Sequence, residues 1–119
     1  MARPLKIQIT EKARLLIADA QHWCRNHLAE DVNGVGVFPT SARAVRRCGL
    51  GALISAAYEL TNNYDAAHEL AHTALRPHCG INTLVHVNDV RGHAAVLAMF
   101  DEVIAAQPPD GGAQLSEPE

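Results

Sequence analysis

Apolar residues recur with the period of an α-helix in four stretches of this chain. The first stretch runs from about residue 10 to 29, and the second from 41 to 60. The third runs from residue 63 or 65 to 75, and the last from about 93 to 106. The pattern predicts an all-α, mostly helical fold of about four helices around one core. It leaves room for one very short hairpin or extended segment.

The second stretch predicts a buried central helix around which the other elements pack. Gly49, Leu53, Ala56 and Leu60 recur along one stripe of this helix. Gly49 and Gly51 each weaken a helix by about 1 kcal/mol relative to alanine. We therefore expect another backbone segment to approach the helix closely at these glycines.

Shorter segments separate the predicted helices. Residues 31–36 include Asn-Gly and predict a turn. Residues 35–38 suit a brief strand or a segment that packs over the core. Residues 81–87 are apolar but too few to distinguish a helix from a strand. Asn88-Asp89, followed by Arg91-Gly92, predicts a loop.

These boundaries predict one folded unit flanked by two short segments. Residues 1–9 form a lead-in that suits an extended conformation. Residues 10–106 form a single helical domain, which is the size that one core supports. Residues 107–119 are acidic and begin with Pro-Pro-Asp-Gly-Gly after Gln107, so we expect a disordered tail.

Composition and charge narrow the possible partners and the compartment. Hydrophobic residues make up 48% of the 119 residues, and the formal net charge is −3. This charge gives no general attraction to nucleic acid or anionic lipid, and no apolar run approaches the roughly 20 residues of a membrane span. Three cysteines without a secretion signal predict free thiols and a cytoplasmic location. The expected partner is an unknown protein or a second copy of the chain.

One motif indicates specific chemistry, because residues 68–72 read H-E-x-x-H. Histidines at i and i+4 place two imidazoles side by side on a helix, where they can share a zinc ion. His68 and His72 would be ligands, and Glu69 would act as general base on the zinc-bound water. His78 lies where the elongated signature has its third ligand, so the segment resembles the metzincin motif.

Three features weaken the zinc hydrolase interpretation. Leu75 occupies the position of the signature's glycine, and no confident strand precedes His68 to hold a substrate. The chain is also short for a zincin fold with a cleft and a specificity pocket. The position of His68 and His72 at the border of the apolar face suits a ligand pair at a groove edge and equally suits half-exposed side chains that cover the core. The H-E-x-x-H segment is therefore compatible with three interpretations: structural histidines, a non-catalytic metal site and a hydrolase. The sequence predicts no cofactor, with zinc as the alternative.

Four further residues form a candidate pocket or loop set. Trp23 suits a core anchor, and Cys48 suits a buried thiol. Asn88 and Asp89 suit either a capped loop or the polar rim of a pocket.

Two other groups of residues carry weaker signals. Arg43, Arg46 and Arg47 lie off the apolar stripe of the predicted central helix and are expected on its solvated face. The alternatives for these arginines are an anion contact or docking of that helix on DNA. A Cys/His zinc site is also conceivable, although the spacings match no zinc-finger pattern. Its donors would be His22, Cys24, His27, Cys48, His78 and Cys79.

From Trp23 onward the chain resembles a family of small uncharacterised bacterial and phage proteins. Their pattern combines a Trp near the end of a first helix, a loop glycine, R-x-C-x-x-G-A-L, W-N-D and a final V-L-x-x-F-D helix. The matching residues are Trp23, Gly34, Arg46, Cys48, Gly51, Ala52, Leu53, Asn88, Asp89, Val96, Leu97, Phe100 and Asp101. Val87 replaces the second Trp of the pattern, and H-E-x-x-H is not part of it. The resemblance implies no reaction.

The sequence therefore predicts a small binding or interaction module without catalysis. A zinc-dependent hydrolase of the H-E-x-x-H type is the alternative.

Overall fold

The computed structural model describes residues 3–106, and this part of the chain is mostly helical, as the sequence predicts. Its α-helices are α1 (Leu5–Leu16), α2 (Gly49–Thr61), α3 (Tyr64–Thr73), α4 (Ile81–His86) and α5 (His93–Ala106). A 3₁₀ turn covers Ala20–His22, and a π-helical turn covers Val87–Arg91. The two-residue strands β1 (Ala29–Glu30) and β2 (Arg46–Arg47) pair antiparallel. The predicted tail, 107–119, lies outside the described residues.

Helix α2 is the centre of the fold. Every residue from Gly49 to Ala57 is buried, and α2 packs mainly against α1 and α3. A Cβ atom on Gly51 would overlap the backbone carbonyl oxygen of Leu28, so only glycine allows this approach. The predicted buried helix is confirmed, and the predicted close backbone approach is confirmed at Gly51. At Gly49 the nearest neighbours are the side chains of Leu84 and Val96.

The predicted bounds of the first helix are wrong at both ends. Helix α1 begins at Leu5, not Thr10, because Thr10 lies inside the helix and donates its hydroxyl to the Lys6 carbonyl at 2.8 Å. The helix ends at Leu16, not near Ala29. Beyond it, the Asp19 carboxylate accepts a hydrogen bond from the Gln21 N–H and caps a separate 3₁₀ turn. A side chain that satisfies a nearby N–H in this way competes with continuation of the helix.

The predicted start of the central helix is also wrong. Residues 41–45 are irregular, Arg46 and Arg47 form β2, and α2 begins only at Gly49. The N-cap is Cys48, whose Sγ accepts a hydrogen bond from the Gly51 N–H at 3.3 Å. A short antiparallel pair of extended segments is present, but it is formed by β1 and β2. The brief strand suggested for residues 35–38 is absent from this described segment, where Gly36 forms only an isolated bridge to Glu30.

The second half of the described chain follows the sequence more closely. Helix α5 has the predicted bounds, and α3 starts after the predicted cap Asn63, whose side chain accepts from the Ala66 N–H. Residues 81–86 are helical, which answers the question that their pattern left open. The predicted loop at Asn88-Asp89 is wrong, because both residues lie in the π-helical turn that continues α4. Among residues 3–106, no helix combines the length and apolarity that crossing a bilayer requires.

Candidate functional site

Asn88 joins three distant segments through its buried side chain. Its Oδ1 accepts from Trp23 Nε1 at 2.7 Å and from the Gly49 N–H at 2.9 Å. Its Nδ2 donates to the Cys24 carbonyl at 3.2 Å and to Asp89 Oδ1 at 2.9 Å. Four hydrogen bonds use the amide's full capacity, so this side chain fixes the loop after α1 and the start of α2 relative to each other.

A second set of contacts strengthens the same junction. Asp89 Oδ1 also accepts from the Asn26 N–H at 3.0 Å, and Arg25 Nη1 donates to the Asp89 carbonyl at 3.2 Å. The Arg25 guanidinium lies 5.1 Å from the centroid of the Trp23 ring, in a cation–π contact. The segment 23–26 is therefore held against the π-helical turn by both side-chain and backbone contacts.

A cavity of about 170 Å³ opens beside this junction. It is lined by Asn26, His27, Leu28, Cys48, Leu50, Val85, Asn88 and Asp89. Three members of the candidate set, Cys48, Asn88 and Asp89, thus line one cavity, and the fourth, Trp23, is bonded to Asn88. Its lining includes Leu28 and Val85, which are 38% and 39% exposed.

A broader and more open groove of about 550 Å³ adjoins the cavity. It is lined by His27, Leu28, Ala29, Gly36, Val37, Phe38, Ser41 and Arg43. His27 and Leu28 belong to both concavities, so the two form one continuous surface, which we call the Leu28 face. Phe38 lies on this face with 71% of its surface exposed. An aromatic side chain left this open beside an apolar concavity is typical of a contact surface.

Two ion pairs with largely buried carboxylates, Asp31–Arg43 and Glu30–Arg46, stabilise the segments that form the groove. The Asp31 carboxylate accepts from the backbone N–H groups of Asn33 and Val35 and from Arg43 Nη2. The Val35 hydrogen bond is the largest of the effects that hold the pKa of Asp31 below its usual value. Arg46 Nε donates to Glu30 Oε1 at 3.0 Å.

Arg47 ties the groove segment to α2. Its Nε donates to the Pro39 carbonyl and to Ser55 Oγ, at 3.0 and 2.8 Å. The predicted solvated helical face for Arg46 and Arg47 is therefore wrong, because both are half-buried strand residues bonded to the protein itself. Docking of a helix that carries these arginines on DNA is excluded for the same reason. Arg43 alone of the three is exposed.

The H-E-x-x-H residues lie on α3, away from the Leu28 face. The rings of His68 and His72 stack with centroids 6.0 Å apart, and Glu69 points to solvent. His68 Nε2 is 2.8 Å from the Tyr64 hydroxyl, and His72 Nδ1 is 2.8 Å from the His68 carbonyl oxygen. Within residues 3–106, no three His, Cys, Asp or Glu side chains are grouped closely enough to hold a metal ion.

The predicted third ligand is therefore not brought to the histidine pair. His78 Nε2 instead lies 3.2 Å from Glu102 Oε1 on α5. The six donors proposed for a Cys/His site are not brought together either, among the described residues.

The thiols are in their neutral form at neutral pH. Burial raises the pKa of Cys24 to about 12, with a smaller contribution from the Glu30 carboxylate. Burial likewise raises the pKa of Cys48 and of Cys79. All three cysteines, which lie within the described residues, are free. Because the thiolate is the reactive form, the thiol in the cavity wall is a poor nucleophile and a poor metal ligand.

The model of one protein family, described as a family of unknown function (DUF6197), matches residues 1–106. The chain belongs to this family. No curated protein and no solved structure matches the chain significantly. In this DUF6197 chain, four of the residues that carry the resemblance noted in the sequence lie at the junction or in the cavity beside it. These are Trp23, Cys48, Asn88 and Asp89. Val96 packs beside Gly49, and Asp101 forms an ion pair with Arg14 on α1.

Sequence reasoning missed the other half of the surface. The sequence pattern placed Leu28 on the apolar face of the first helix, His27 in a possible zinc site and Phe38 in a brief strand or a segment over the core. It predicted none of them as an exposed contact residue, because their exposure depends on how the loop between α1 and α2 folds back. The one available signal was the apolar Val-Gly-Val-Phe run before Pro39 in a segment with turn character. Such a run is compatible with packing over the core as well as with exposure.

Proposed function

We propose that this DUF6197 chain is a binding module without catalysis and that it contacts a protein partner through the Leu28 face. The observation that carries the proposal is that the apolar cavity and the apolar groove share His27 and Leu28 and so form one surface. The exposed ring of Phe38 lies on this surface. The proposal includes the cytoplasmic location that the sequence predicts.

The framework beneath the face supports this function. The four hydrogen bonds of Asn88, the Arg47 bridge to Ser55 and the bonds to Asp31 fix the loop segments that carry the face. A surface that is already ordered loses little conformational entropy when a partner binds. Aromatic side chains at the centre of an interface commonly supply a large share of the affinity. Phe38 is therefore the expected anchor on this side of the interface.

Binding by matched variants tests the proposal. The full chain, Phe38→Ala and Leu15→Ala are immobilised and exposed to the same cell extract. Leu15 is the control, because it is 75% exposed but lies on α1 outside the face. Any protein retained by the wild type and Leu15→Ala but not by Phe38→Ala is then purified and titrated against all three.

We expect the dissociation constant for Phe38→Ala to rise at least about tenfold and that for Leu15→Ala to stay unchanged. Partners that bind Phe38→Ala as tightly as the wild type would contradict the proposed surface.

A divalent metal site at His68 and His72 is the second candidate. The stacked rings on one exposed helical face favour it, since an i, i+4 pair is a common two-ligand arrangement. His68 would have to release the Tyr64 hydroxyl for its Nε2 to bind a metal ion. The zinc hydrolase with Glu69 as base would also need a third zinc ligand. Residues 3–106 bring no three His, Cys, Asp or Glu side chains close enough together to supply it.

A further inference from the structure

The two formally charged side chains that line the Leu28 face, apart from His27, lie at opposite ends: Arg43 lines the groove and Asp89 lines the cavity. The chain has a formal net charge of −3, but residues 20–58 carry four arginines and only two carboxylates, Glu30 and Asp31. Both carboxylates are largely buried, and each is paired with an arginine. Of these four arginines, Arg43 is the one that lines the Leu28 face.

Arg43 is the cation that is best placed for a partner. Its side chain is 73% exposed on the groove wall, and Nη2 bonds Asp31 Oδ2 at 3.0 Å. Among the hydrogen bonds between described residues, no other guanidinium nitrogen of Arg43 takes part. Because Asp31 is also satisfied by two backbone N–H groups, Arg43 can turn its remaining donors toward an anion.

The cavity at the other end of the face fits one apolar side chain. An engineered apolar cavity of about 150 Å³ accepts benzene, and the cavity here measures about 170 Å³. Its lining includes the partly exposed apolar side chains of Leu28 and Val85. Asp89 also lines this cavity, with Oδ1 bonded to the Asn26 N–H and to Asn88 Nδ2. A carboxylate of the partner is repelled from this end and attracted to the groove, where Arg43 lies.

We infer that the Leu28 face takes an acidic segment of a protein partner, with one apolar side chain in the cavity and a carboxylate on Arg43. The inference rests on the proposed binding function and adds the chemistry of the partner. Complementary charge across the groove raises the rate of encounter and disfavours basic or neutral competitors.

Selection from a display library of short random peptides tests the inference without knowledge of the natural partner. The full-length protein is the target, and Phe38→Ala is used to remove peptides that bind elsewhere. We expect the enriched peptides to share a Leu, Phe or Met with Asp or Glu residues nearby. Synthetic copies with Asn and Gln in place of Asp and Glu should bind about three- to tenfold more weakly.

Arginine variants locate the charge contact. Arg43→Gln should weaken binding of the acidic peptide about three- to tenfold and flatten its salt dependence, and Arg43→Lys should restore much of both. Arg76→Gln is the matched control, because Arg76 is exposed in the turn after α3 and lies outside both concavities. Thermal unfolding of each variant verifies that the fold is intact.

The possible failures are distinguishable. Peptides that depend on Phe38 but show no acidic preference, and bind Arg43→Gln normally, would overturn the inference and leave the proposed function standing. The absence of any Phe38-dependent peptide would overturn both.

Three other occupants of the face would also overturn the inference. The first is a single-stranded DNA oligonucleotide that competes for the face, and the second is self-association that is lost in Phe38→Ala. The third is the chain's own carboxy-terminal segment. The full chain that carries Asp110→Asn, Glu117→Gln and Glu119→Gln would then bind the peptide more tightly than the wild type does. That result would show that the carboxy-terminal segment occupies the face.

Discussion

Trp23 and Asn88 are 65 positions apart, yet the indole Nε1 of Trp23 donates to Asn88 Oδ1 at 2.7 Å. The same oxygen accepts the first N–H of α2, from Gly49. One amide thus joins the loop after α1, the buried helix α2 and the turn that continues α4. The Leu28 face lies directly over this junction, so its shape depends on the hydrogen bonds of Asn88.

The first prediction concerns the contribution of the Asn88 hydrogen bonds to the free energy of unfolding. Asn88→Ala leaves the Gly49 N–H, the Trp23 Nε1–H and the Cys24 carbonyl without their hydrogen-bond partner. Buried polar groups without a partner destabilise the folded state. We expect the free energy of unfolding in urea to fall by about 3 to 5 kcal/mol. Asn82→Ala, at an exposed position of α4, is the control and should change it by less than about 0.5 kcal/mol. Equal stability of the two variants would refute the structural role of Asn88.

The second prediction compares two glycines. In Gly51→Ala the new methyl group would overlap the Leu28 carbonyl oxygen, and backbone cannot move aside cheaply. We expect a loss of more than about 3 kcal/mol in unfolding free energy, despite the gain in helix propensity. Gly80→Ala has open space around the new methyl group and a negative φ, so its effect should be within about 0.5 kcal/mol. A stable Gly51→Ala protein would show that the loop does not approach α2 as described.

The third prediction is an acid dependence that arises from Asp31. The folded state holds the pKa of Asp31 below its ordinary value of 3.8, first through the Val35 N–H. Its contribution to stability is therefore present above that ordinary value and is lost as pH falls below it. Chemical denaturation at a series of pH values should show less acid destabilisation for Asp31→Asn than for the wild type. Parallel curves down to about pH 3 would argue against the hydrogen bonds assigned to this carboxylate.

The fourth prediction concerns thiol reactivity. With its pKa raised from 9.0 to about 12, Cys24 has roughly a thousandfold smaller thiolate fraction at pH 8 than an unperturbed thiol. Iodoacetamide should therefore label Cys24, and also Cys48, only as fast as the protein unfolds. Peptide mass spectrometry with and without urea measures this rate. Rapid labelling of Cys48 in the native protein would instead reveal an accessible, reactive thiol in the cavity.

The fifth prediction addresses the histidine pair. If the second candidate function holds, purified protein contains zinc near one ion per chain, and the His68→Ala, His72→Ala double variant loses it. The binding-module account expects zinc only at background level in both. Elemental analysis of the two proteins decides between them, with His22→Ala, at an exposed position away from α3, as the control.

Local signals explain which elements the sequence predicts well. Helix α5 and the cap at Asn63 follow from side-chain periodicity and from a hydrogen bond three residues away. The buried α2 follows from its apolar composition, and the approach at Gly51 follows from the cost of glycine in a helix. These features depend on residues that are close together in the chain.

The errors come from partners that are distant in the chain. Helical periodicity continues through Trp23 and Cys24, but these residues pair with Arg47 and Asn88 instead of extending α1. Residues 41–47 carry helix-compatible apolar spacing, yet Glu30, Pro39 and Ser55 give Arg46 and Arg47 better partners in β2. Pattern analysis within one segment has no access to such competing contacts.

The candidate site was predictable only in the part that local sequence signals indicate. Asn88 and Asp89 suggested a pocket rim because adjacent polar residues in a loop signal often serve that role, and they do line the cavity. The prediction of a loop at these two residues was wrong, because they lie in the π-helical turn. The exposure of Phe38 and Leu28 follows only from the folded arrangement of the segment between α1 and α2.

The central claim is that Phe38 serves recognition and not the stability of the fold. Denaturant unfolding of Phe38→Ala tests it most directly, combined with titration of the same protein against a partner or selected peptide. Our account predicts an unfolding free energy within about 0.5 kcal/mol of the wild type and binding at least about tenfold weaker. A loss of several kcal/mol in stability, or undiminished binding, would contradict it.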